Sequence, residues 1–88
     1  MSIGIDIYIK TMEDLMKAIY PECSTHNSGS YDTIYGKAGI VHVDKIDIYI
    51  KPSNPKNKIS VMYEGKQWDF NELSSTLHLI NNLVEEML

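Results

Sequence analysis

Isoleucine at every second position marks two separate stretches of this chain. Ile3, Ile5, Ile7 and Ile9 alternate with Gly4, Asp6, Tyr8 and Lys10, and Ile46, Ile48 and Ile50 alternate with Asp47, Tyr49 and Lys51. β-branched residues with a period of two predict half-buried strands, one face apolar and the other wet. The two stretches share a hexamer letter for letter, Ile5-Asp6-Ile7-Tyr8-Ile9-Lys10 and Ile46-Asp47-Ile48-Tyr49-Ile50-Lys51. Antiparallel pairing of the copies with Tyr8 opposite Tyr49 sets Asp6 against Lys51 and Lys10 against Asp47. Such cross-strand contacts contribute about 0.2–1 kcal/mol each. The expectation is therefore a first strand lying antiparallel beside the second copy. The hexamer is equally self-complementary between chains, so an exposed first strand would also allow a homodimer.

The rest of the chain reads as two helices and further strands. Thr11 and Asp14 have capping-box spacing, and Met12, Leu15, Met16 and Ile19 follow at helical spacing, with Pro21 as the stop. This predicts a first helix over 12–20. The polar stretch 22–30 reads as a loop, 31–35 as a short strand and 36–39, with two glycines, as a hairpin turn. The stretch 40–51 reads as one long strand with a phase break. Val41 and Val43 have one parity and Ile46, Ile48 and Ile50 the other, so a β-bulge or sharp bend is expected at Asp44-Lys45. Beyond a turn at 52–57, residues 59–63 read as a strand, 64–66 as a turn and 67–69 as a last short strand. Asp69 and Glu72 again have capping-box spacing. The final helix, 71–87, carries a stripe of Leu73, Leu77, Ile80, Val84 and Met87, widened by Thr76 and Leu83.

The fold class expected is α+β: a mainly antiparallel sheet of four or five strands, order β-α-β-β-β-(β)-α, with both helices on one face. At 88 residues this is one small domain over residues 1–88.

Eight lysines and no arginine stand against twelve acidic residues, a net charge of −4. Arginine forms the bidentate contacts that read bases and clamp phosphate. Its absence from an acidic chain argues against direct nucleic-acid binding. Cys23 is the single cysteine, so no internal disulfide is possible and a reducing, cytoplasmic setting is expected. No signal peptide is legible, and no run nears the roughly 18 apolar residues that cross a bilayer, so no membrane partner is expected.

Candidate chemistry is sparse. Cys23-x-x-His26 with His42, Asp44 and His78 is one ligand pair plus singles, short of the two paired motifs of a structural zinc site. A Cys23 nucleophile would follow a helix C-terminus, where the dipole disfavours a thiolate. Gly36-x-x-Gly39 lacks the lysine-serine pair and helix of a phosphate loop. Neither a metal nor another cofactor is expected, and no enzyme activity. Tyr8, Tyr49 and Met62 belong to residue types enriched at interface cores. With Asp6, Lys10, Asp47 and Lys51 they compose the expected protein-binding surface, on the sheet face away from the isoleucines. The reading is a non-enzymatic protein-binding module, an inhibitor or antagonist of a larger protein. That profile of size and composition is similar to those of small phage anti-defence and toxin-immunity proteins. The alternatives are a homo-oligomerising accessory subunit and a small RNA-binding or metal-dependent enzyme domain.

Overall fold

The computed structural model describes residues 4–88. The order is α1 (Ile5–Ile19), β1 (Thr25–Thr33), β2 (Gly36–Val43), β3 (Ile46–Ile50), β4 (Ile59–Tyr63), β5 (Lys66–Phe70) and α2 (Leu73–Met87). The five strands form one antiparallel meander in the order β1-β2-β3-β4-β5. The α+β class and the antiparallel sheet agree with the sequence reading. The element order does not, because the chain opens on a helix.

That difference lies in the repeated hexamer. The second copy is β3, continuing into Lys51, whereas the first copy forms the opening turns of α1. The expected pairing of the two copies, Asp6 with Lys51 and Lys10 with Asp47, therefore does not occur. Ile3, assigned to the same strand, lies outside the described residues.

The flanks decide the outcome. Behind the first copy, residues 11–20 contain no breaker before Pro21 and are rich in helix formers such as Met, Leu, Lys, Ala and Glu. Ile5, Ile9, Met12 and Met16 then make one helical stripe facing the sheet. Isoleucine costs at most about 0.7 kcal/mol per residue in a helix, while burying one fully contributes about 1.5–3 kcal/mol. The stripe wins. Ile7, the member that fits only the period of two, is left 60% exposed. Lys10 pairs along the helix with Glu13 at 3.6 Å and Asp14 at 3.2 Å, while Lys51 donates across the sheet to Ser60 at 2.7 Å. Thr11 is thus mid-helix rather than a cap, and Tyr20 closes the helix just before Pro21, as the proline predicts.

The phase break at Asp44-Lys45 is a complete reversal, not a bulge. Val43 pairs with Ile46, and Asp44 takes a left-handed φ of 51°. Reversal achieves what the bulge was invoked for: Val41, Val43, Ile46, Ile48 and Ile50 all reach one core. The only register shift recorded in β1–β2 lies between Asn27 and Ser30. The stretch expected as a loop is in fact most of β1. An edge strand with one wet face can be built from Ser, Asn, Gly and Thr, because the ladder to β2 satisfies its backbone. The first hairpin turns at Ile34-Tyr35 instead of 36–39, closed by Thr33 Oγ1, which donates to the Gly36 carbonyl at 2.7 Å and accepts from the Tyr35 N–H at 3.1 Å. Glu64 and Gly65 both have positive φ, as a two-residue hairpin loop favours. At the last helix, Glu72 is the cap residue and makes no side-chain capping bond, while Asp69 belongs to β5.

Both helices cover the same sheet face, α1 over β1 and β2, α2 over β4 and β5. Gly39 makes the α1 contact possible. A Cβ there would lie 2.3 Å from both Cγ1 and Cδ1 of Ile9. Gly39→Ala is expected to destabilise the chain by about 1–3 kcal/mol in denaturant unfolding. Combining it with Ile9→Ala should cost clearly less than the sum of the single changes; additive costs would show that helix and strand do not meet there.

Candidate functional site

The second sheet face has no layer of the described chain over it, and strand alternation writes its surface in rows. One row crosses all five strands as His26, His42, Asp47, Met62 and Gln67. The next runs Ile40, Tyr49, Ser60 and Asp69. Two hydrogen-bonded networks occupy these rows. In the first, Lys51 Nζ donates to Ser60 Oγ at 2.7 Å, Ser60 donates to Asp69 Oδ1 at 2.7 Å, and Gln67 Nε2 donates to the same oxygen at 2.9 Å. Those bonds from Gln67 and Ser60, then the Lys51 charge, hold the Asp69 carboxyl below its ordinary range. Tyr31, Tyr49, Lys51 and Met62 line a hollow of about 210 Å³ beside it.

In the second network, His42 Nδ1 lies 2.7 Å from Asp47 Oδ1, and His42 Nε2 meets Ser28 Oγ. The His26 ring stacks on His42 with centroids 4.7 Å apart. Ser28 stands at the register shift of β1. Gly29 takes a φ of 79°, its N–H donates to Asn27 Oδ1 at 2.9 Å, and Asn27 Nδ2 donates to the buried Glu13 of α1 at 3.1 Å.

The expected binding residues fall on two faces. Asp47, Tyr49, Lys51 and Met62 are on the open sheet face, whereas Asp6, Tyr8 and Lys10 are on α1, beyond the core. Tyr8 instead lines an apolar groove of about 580 Å³ on the helix side, which sequence reasoning missed. Its floor is Ile50 and Ile59, its walls are Ile7, Tyr8, Met12 and Leu15 of α1 with Leu73 of α2, and Thr11, Pro52, Lys58 and Asn71 complete it. Ile7, Tyr8 and Leu73 are 60%, 42% and 40% exposed. Leu73 was assigned to the core stripe and Ile7 to a core-facing strand. Among the described residues, Lys58 Nζ donates to the carbonyls of Pro52, at 3.2 Å, and Asn54, at 3.5 Å.

Of the residues grouped with Cys23 in the sequence, Asp44 is its hydrogen-bond partner. Burial first, then a hydrogen bond with Asp44 and that residue's charge, push the thiol up to about 11. Among the described residues, no three His, Cys, Asp or Glu side chains converge as metal ligands. Nor is any helix there long and apolar enough to cross a membrane. No protein-family model, curated protein or solved structure matches the chain.

Two outcomes are expected. Iodoacetamide at neutral pH should alkylate Cys23 on the order of 10²-fold more slowly in the folded chain than in denaturant, since a thiol near 11 is scarcely ionised; equal rates would contradict this. A carboxyl lowered in the folded state stabilises above its unfolded value of about 3.9 and loses that contribution as pH falls through the folded one. Asp69→Asn should therefore flatten the acid limb of the stability curve below about pH 4. An unchanged limb would remove Asp69 from it.

Proposed function

We propose that this chain is a protein-binding module, a small antagonist of a larger protein, and that it engages its partner through the groove between α1 and α2. The observation that supports this is the groove's composition: large apolar side chains stand open to solvent around a floor of isoleucines. Exposed apolar clusters of this kind are characteristic of docking sites. The occupant is a short apolar segment of the partner that carries a carboxylate. The apolar residues fill the trough, and the acid meets Lys58, the one charged side chain lining it among the described residues. A chain of net charge −4 that keeps a cation at this place discriminates for such a segment and against basic ones. The open sheet face, with Tyr49, Lys51 and Met62, would then be free for other contacts. The single cysteine fits a cytoplasmic setting for this role.

Selection from a displayed random-peptide library tests the reading. Enriched peptides should combine two or more large apolar residues with Asp or Glu. Ile7→Asp and Lys58→Glu should each weaken them at least tenfold, about 1.4 kcal/mol, without lowering the melting temperature. Peptides insensitive to both changes would contradict the site. A stable dimer in sedimentation, dissociated by Ile7→Asp, would show that a second copy fills the groove instead.

A further inference from the structure

The Ser28, His42 and Asp47 side chains lie in hydrogen-bonded series on the sheet face opposite the groove. Asp47 Oδ1, at 2.7 Å, accepts the Nδ1 proton of His42. In the neutral imidazole that arrangement leaves the Nε2 lone pair facing the Ser28 hydroxyl, the tautomer a general base requires. Each member is held by separate structure. His42 and Asp47 are direct cross-strand partners on β2 and β3. The stacked His26 ring covers one face of the His42 imidazole. Asn27 ties the Ser28 bulge to α1 through Glu13 and to Gly29 through its N–H. Ser28 itself is exposed on an edge strand, so a reagent can approach it.

We propose that Ser28 is an activated nucleophile that takes an acyl group from an ester, with His42 as its base and with Asp47 and His26 as positioning residues. In the step, Ser28 Oγ forms a bond to the ester carbonyl carbon while its proton passes to His42 Nε2. The tetrahedral adduct collapses, the bond from carbon to the leaving oxygen breaks, and that oxygen takes the proton back from His42. The products are O-acyl Ser28 and the free alcohol, with His42 neutral again. Base assistance of this kind contributes about 10²–10⁴ in rate. The inference is independent of the binding role and uses different residues on the other face, so either can fail alone. It departs from the expectation of a chain without enzymatic chemistry, and the serine was not among the candidates the sequence offered.

The test is p-nitrophenyl acetate on the intact chain, following p-nitrophenol release and locating the acetyl group by peptide mass spectrometry. The acetyl group is expected on Ser28. Ser28→Ala should abolish that label, and His42→Gln should slow it at least ~10²-fold. Asp47→Asn should also slow it, Asp47→Glu should retain more of the rate, and all variants should melt with the wild type. Acetyl groups confined to lysines in the wild-type chain would overturn the proposal without reference to any variant. Labelling of Ser28 at an unchanged rate in His42→Gln would do so as well.

Discussion

The approach of Ile9 to Gly39 is the contact on which the rest of the molecule depends. It sets α1 close over β1 and β2, and that closeness lets a chain of 88 residues enclose Ile9, Ile46, Ile48, Ile50, Ile59 and Ile80 in one core. Any side chain at position 39 would hold the helix off the sheet. The same approach brings Glu13 to Asn27, and Asn27 in turn shapes the bulge that carries Ser28. Core packing on one side of the sheet thus reaches through β1 to the polar arrangement on the other.

The two helices cover one face and leave a groove at the side where Ile50 and Ile59 lie. α1 occupies the β1–β2 end and α2 the β4–β5 end, and the apolar groove lies between them over the buried Ile50 and Ile59. The two surfaces differ in chemistry because they differ in origin. The groove is unfilled core, lined by residues of the isoleucine face. The other face carries the alternate residues of the same strands, and neighbouring strands satisfy their polar atoms row by row.

Much of the strand content was legible, and the reasons for the misses are specific. Residues 46–50 and 59–63 alternate cleanly and form strands, and 73–87 carries a helical stripe that forms a helix. The first hexamer misled because six residues with a period of two satisfy two structures. Ile5 and Ile9 are four apart as well as even-spaced, and only the continuation into Met12 and Met16 selects the helix. β1 was obscured for the opposite reason, since an edge strand facing water on one side needs little apolar signal. The phase break at Asp44-Lys45 was seen and its geometry misjudged. Read as a turn, it places His42 opposite Asp47 at once, because those positions are equidistant from the reversal. Ser28 joins them only through a bulge, and no spacing in the sequence announces that. The groove was illegible because it depends on how far apart two helices come to rest.

The central claim is that one hexamer serves as a helix at its first occurrence and as a strand at its second. Ile7 and Ile48 are equivalent positions in the two copies, one exposed and one fully buried. Equilibrium unfolding of Ile7→Lys and Ile48→Lys tests the claim directly. The account requires Ile7→Lys to change stability by no more than about 0.5 kcal/mol and Ile48→Lys to cost more than about 4 kcal/mol or prevent folding. Comparable, severe losses at both positions would mean that the first copy is also a strand buried against the core, and the account would fail.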